Sequence, residues 1–162
     1  MSSIRQQRII LVTGANKGIG YEIVKKLVKE STNFDNFILL GSRNLQRGQD
    51  ALNRLGSPSN VHILQLDVSS ENSIARVADQ IKRKYDGILD VIINNAAIGE
   101  LELTTETARR MFSTNYYGIK VLNEYLFPFI VTNLSKLPAV ATDDSKRGIH
   151  EKIVFLLKGF AI

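Results

Sequence analysis

Apolar, β-branched runs alternate along the chain with stretches whose apolar residues recur every three or four positions. Ile9-Ile10-Leu11-Val12 predicts a first strand, and Ile23, Val24, Leu27 and Val28 then fall on one helical face. Phe37-Ile38-Leu39-Leu40 predicts a second strand, followed by a helix through Ala51, Leu52 and Leu55 that ends near Gly56 and Pro58. Val61 to Leu66 is the third strand, and Ile74, Val77, Ala78, Ile81 and Tyr85 form the next helical stripe, stopped at Gly87. Leu89-Asp90-Val91-Ile92-Ile93 predicts the fourth strand. A last stripe runs through Val121, Leu122, Tyr125, Leu126 and Phe129, with a disturbance expected at Pro128.

Continuous apolar strands, each followed by a helix, imply a parallel sheet covered on both faces. Right-handed crossovers make it an α/β doubly wound sheet with its first four strands in the order 3-2-1-4. Ligands in such sheets bind where the winding reverses, here between strands one and four. The pattern occupies residues 1–133. Residues 134–162 lose the rhythm and read as a divergent tail, in which Ile153 to Leu157 has the composition of a substitute edge strand.

Charge and composition narrow the classes further. The absence of cysteine excludes disulfides and thiolate chemistry, and two distant histidines, His62 and His150, argue against a histidine metal site. The net charge is +5, but the cations sit among acids over many segments, so solvated helix faces are expected and not a nucleic-acid surface. No apolar run approaches the ~20 residues of a membrane span. The first eight residues lead into a strand and do not read as a secretory signal, which makes a cytoplasmic location the expectation.

Chemistry enters at Thr13-Gly14-Ala15-Asn16-Lys17-Gly18-Ile19-Gly20, between the first strand and its helix. Glycines there permit a tight turn and close backbone approach, while the helix start offers free N–H groups to a pyrophosphate. The second strand ends Leu40-Gly41-Ser42-Arg43, without the acid that would accept a ribose 2′-hydroxyl. Arg43, with Lys17 in the turn, suits a 2′-phosphate by charge-assisted hydrogen bonds, so NADPH/NADP is the expected cofactor.

Thr13-Gly14-x-x-x-Gly18-x-Gly20, Leu66-Asp67-Val68, Asn94-Asn95-Ala96 and Thr114-Asn115-Tyr116-Tyr117-Gly118, in that order, resemble the motifs of the short-chain dehydrogenase/reductases. The glycine turn and Ser42-Arg43-Asn44-Leu45-Gln46-Arg47-Gly48-Gln49 are similar to the monomeric NADPH-dependent carbonyl reductases in detail, and the likeness runs over roughly residues 8 to 131. The resemblance implies a Rossmann-type fold and hydride transfer from NADPH to a ketone, aldehyde or quinone. It also implies a cofactor site of Gly14, Asn16, Lys17, Gly18, Ile19, Gly20, Ser42, Arg43, Asp67, Val68, Asn95, Ala96 and Ala97, with Asp67 facing the adenine and Asn95 beside the ribose. Ala97 departs from the family's glycine at that position and adds a methyl near the cofactor, with Gly99 nearby to relieve it.

The family's proton donor is a tyrosine assisted by a lysine four residues later, with a serine polarising the carbonyl and an asparagine anchoring a water relay. Asn115 matches the asparagine. The formal Tyr-x-x-x-Lys matches, Tyr21 to Lys25 and Tyr116 to Lys120, fall at the pyrophosphate end and on the asparagine's own helix, so neither suits the role. Ser135, Thr142 and Ser145 do not end an apolar strand. Asp143 to Lys152 resembles the charged segment that precedes the family's catalytic tyrosine. An alternatively spliced, misassembled or truncated product is therefore expected, with the fourth strand an exposed edge open to association. Three readings stay open: a carbonyl-reducing enzyme acting on a small molecule, a non-catalytic NADPH-binding or interaction domain, and an unstable fragment.

Overall fold

The structure, a computed structural model, describes residues 7–30, 36–102 and 104–134. Its strands are β1 (Arg8–Val12), β2 (Asn36–Ser42), β3 (Val61–Gln65) and β4 (Val91–Ile93). Helices α1 (Gly18–Lys29), α2 (Leu45–Arg54) and α3 (Glu71–Lys84) connect them. Beyond β4 come α4 (Thr105–Phe112), a π-helical turn (Ser113–Gly118) and α5 (Ile119–Leu134). All strand pairs are parallel, in the order β3-β2-β1-β4 that the alternation predicts.

Period-two alternation divides each strand between two cores. Ile9, Leu11, Leu39, Leu64 and Ile92 face Ile74, Val77 and Ile81 of α3 and Leu122, Leu126 and Ile130 of α5. Ile10, Val12, Ile38, Leu40 and Val61 face Val24 of α1 and Ala51 of α2. Fully burying one such leucine or isoleucine stabilises by roughly 1.5–3 kcal/mol. The connecting helices are punctuated as their ends require: Asn44 and Ser70 accept from the N–H groups of Arg47 and Ser73, and Gly56 and Gly87 take positive φ after α2 and α3.

Three elements differ from the sequence expectation. β4 begins at Val91 and not at Leu89, because the carboxylate of Asp90 takes the place of a backbone partner, accepting from the Ile9 N–H at 2.7 Å. Pro128 lies inside α5, which continues to Leu134. Helix α4 has no buried residue and carries no apolar stripe to announce it. A reciprocal capping box between Thr104 and Thr107 starts it instead. The proposed edge strand at 153–157, together with Ser135, Thr142 and Ser145, lies outside the described residues. Among the described residues β4 pairs only with β1, and no helix is long and apolar enough to cross a membrane.

Candidate functional site

At the carboxyl end of β1 the chain turns sharply from Thr13 to Lys17 before α1. Gly14 (φ 63°) and Gly18 (φ 58°) hold left-handed backbone that side chains disfavour. Gly14 is also a close approach: a methyl there would stand 2.9 Å from Ala96 Cα. The turn is tied to both neighbouring strands. Ala15 N–H donates to the Gly41 carbonyl at 2.8 Å. Asn95 Nδ2 donates to the carbonyls of Thr13 at 2.9 Å and Gly14 at 3.3 Å. The Thr13 hydroxyl accepts from the N–H groups of Asn95 (3.0 Å) and Ala96 (2.9 Å).

Unlike α2, α3 and α4, helix α1 has no side-chain cap, and unlike α3 and α4 it has no acid in its first turn. Its first N–H groups are left for an outside acceptor. Beside it opens a crevice of about 490 Å³, a volume typical of ligand sites. Gly14, Asn16, Lys17 and Gly18 form one wall, and Ser42, Arg43, Asn44 and Arg47 a second. Leu66, Asp67 and Val68 follow β3, Asn95, Ala96, Ala97 and Ile98 follow β4, and Thr114 comes from the π-helical turn. Among the described residues no ion pair engages Lys17, Arg43 or Arg47, so the field in the crevice is positive apart from Asp67. The Asp67 carboxylate is held by the N–H (3.0 Å) and hydroxyl (2.7 Å) of Ser69.

Most of the residues expected at a cofactor therefore converge on one crevice. Ile19 does not line it; its side chain is 59% exposed. Gly20 is buried in the first turn of α1, against the glycine turn, where a methyl would meet the Gly14 carbonyl oxygen at 2.8 Å. The Ser42 hydroxyl is buried and donates to the Asn44 carbonyl at 2.8 Å, which shapes the β2–α2 corner. A methyl on Gly99 would meet nothing within 4 Å, and Ala97 itself is exposed at the crevice. Asn115 stands one residue beyond the lining, within the π-helical turn. Its amide donates to the Ile98 carbonyl at 2.8 Å, and its oxygen accepts from the Ile98 N–H at 2.9 Å. The turn thus steadies the wall after β4, as π-bulges do at many functional sites.

Asn44 and Arg47 also line the crevice and were not singled out from the sequence. The signal available was their place at the N-cap and first turn of the helix that leaves β2, on the ligand side of a parallel sheet. Tyr21 and Tyr116 are absent from the lining; Tyr116 is 59% exposed and packs edge-on against Tyr117. The tyrosines with shifted titration, Tyr85 (raised by burial) and Tyr125 (raised first by its bond to Glu71), do not line it either. Among the described residues no group of three histidine, aspartate or glutamate side chains could hold a metal.

The glycine cradle, the uncapped helix start and the unpaired cations together fit a dinucleotide carrying a pyrophosphate and a further phosphate. Comparison with known proteins agrees: residues 8–135 match the family model for short chain dehydrogenase. The chain belongs to that family. Carbonyl reductase (NADPH) 1 of Sus scrofa is 34% identical to this chain, over 89% of the chain and 50% of the relative. Short-chain dehydrogenase/reductase 1 of Saponaria officinalis is 33% identical, over 94% and 57%. The crystal structure of NADPH-bound carbonyl reductase from chicken fatty liver superposes with a TM-score of 0.69 at 28% identity, over 75% of this chain and 48% of that one. The chain thus spans about half the length of these relatives.

Proposed function

We propose that the crevice binds NADPH, and that residues 1–133 form the cofactor-holding part of a carbonyl-reducing oxidoreductase. One observation carries this reading: Lys17, Arg43 and Arg47, free of ion pairs among the described residues, surround a glycine cradle that no acid closes after β2. The Gly14–Gly18 turn and the first N–H groups of α1 receive the pyrophosphate, and Arg43 with Arg47 the 2′-phosphate. Asp67 and Val68 border the adenine, Asn95, Ala96 and Ala97 the ribose on the β4 side. Bound NADPH supplies the hydride; the relatives named for carbonyl reduction give the substrate class, a small ketone, aldehyde or quinone.

Among the described residues no tyrosine lines the crevice to give a proton to that carbonyl. The chain alone is therefore assigned NADPH binding without turnover. Fluorescence titration of the purified chain tests the first part: NADPH should bind well ahead of NADH, and equal affinities would remove the role given to Arg43. A quinone or aromatic aldehyde assayed with NADPH tests the second, and sustained turnover would show a proton donor beyond those described.

A further inference from the structure

We infer that Arg54, the last residue of α2, is a positioning residue that holds the glycine turn in its phosphate-ready shape from outside the crevice. Its guanidinium Nη2 donates to the Asn16 carbonyl at 2.8 Å, across 38 positions of sequence. Its Cζ lies 4.6 Å from the centroid of the Tyr21 ring. Tyr21 belongs to the first turn of α1, so one cation grips both the crest of the turn and the helix it feeds. Only a planar guanidinium can stack on a ring by its face while donating by its edge.

The anchors from β2 and β4 described above reach Thr13, Gly14 and Ala15. Asn16, one residue further, carries the bond to Arg54. The described peptide bonds are all trans, so the Asn16 carbonyl and the Lys17 N–H lie in one plane and point in opposite directions. Arg54 is not among the residues lining the crevice, whereas Lys17 is. Fixing the carbonyl on Arg54 therefore turns the Lys17 N–H away from α2 and toward the place of a phosphate. The charge on Arg54 also polarises this peptide and strengthens the N–H as a donor.

The consequence for binding rests on the NADPH reading; the grip itself does not, and the experiment separates them. Hydrogen exchange is measured first on the ligand-free full chain and its Arg54→Ala, Arg54→Lys and Tyr21→Leu variants. Arg54→Ala should speed exchange of the two bonded amides that flank Asn16, Ala15 and Tyr21, by roughly tenfold, leaving β1 and β3 unchanged, as expected for one lost charge-assisted bond. Each variant is then titrated with NADPH and with adenosine 2′-monophosphate, which reaches only the Ser42–Arg43 end. The NADPH dissociation constant should rise about tenfold while that of the monophosphate stays put, with Arg54→Lys failing to rescue because lysine lacks the planar fork. Unchanged exchange at Ala15 and Tyr21, unchanged NADPH affinity in a chain that binds it, or an equal loss for both ligands each overturns the inference. A wild-type chain that binds no NADPH refutes the proposed function instead, and the exchange data still decide the grip.

Discussion

Replacing Gly14 by alanine tests the architecture of the cradle, with Gly18→Ala as its internal control. Both glycines hold left-handed backbone, φ 63° and 58°, and alanine at either position meets a strain of ~1–2 kcal/mol. Their surroundings differ. Nothing lies within 4 Å of a methyl on Gly18, whereas one on Gly14 would stand 2.9 Å from Ala96 Cα and 3.3 Å from Ala96 N. Those neighbours are backbone held by the Thr13 hydroxyl, so relief requires the exits of β1 and β4 to part. Overpacking of that kind costs ~1–3 kcal/mol. Gly14→Ala should therefore lose roughly 2–5 kcal/mol in total, a large share of the ~5–15 kcal/mol that a domain has. In urea unfolding followed by circular dichroism, with a slope of ~1–3 kcal/mol per molar, its midpoint should fall by roughly 1–3 M. Gly18→Ala should lose only the strain of ~1–2 kcal/mol. Equal midpoints for the two variants would refute the steric argument, since backbone strain alone predicts them.

Arg43→Ala should raise the NADPH dissociation constant by roughly 10–100-fold, the worth of a charged hydrogen bond, while leaving NADH unaffected; parallel titrations check it, and a parallel loss for NADH would remove the 2′-phosphate assignment. Asn95→Ala strands the Thr13 and Gly14 carbonyls and should destabilise by ~1–3 kcal/mol in thermal unfolding. Tyr125 donates to the Glu71 carboxylate at 2.9 Å, and that bond, with the negative charge behind it, holds its titration above 10.0. Because the folded value is the higher one, this contribution is complete below the unfolded value and is lost as pH rises through the folded one. Glu71→Ala should bring one tyrosine's titration down toward 10.0 in ultraviolet absorbance, and an unchanged titration curve would remove the assignment.

The sheet was legible because its strands are buried on both faces, and continuous runs such as Ile9 to Val12 leave little choice of partner. Helix α4 was not. Its residues Thr105 to Phe112 bury nothing, so the period that reveals α3 is missing, and only the Thr104–Thr107 box marks its start. The crevice was legible where chain order places glycine and cation at strand ends, as at Gly14, Lys17 and Arg43. Arg54 could not be read in this way, because its contact with Asn16 depends on how α2 lies beside the turn. The π-helical turn is equally silent in sequence: Asn115 reaches both backbone groups of Ile98 across 17 positions, a pairing that depends on where the fold sets the turn beside the exit of β4.

Thr13 has a consequence for the kinetics of any ligand. Its one hydroxyl accepts from two successive N–H groups beyond β4, and the same N–H-bearing residue, Asn95, donates back to the Thr13 carbonyl. The floor of the crevice is in effect a single rigid body cut from two strands. The conformational entropy of ordering that backbone is lost during folding and not on ligand capture. Valine, with threonine's shape but no oxygen, would keep the packing and the backbone bonds to Ile93 and Asn95 while freeing the N–H groups of Asn95 and Ala96, transferring part of that entropy loss to the binding step.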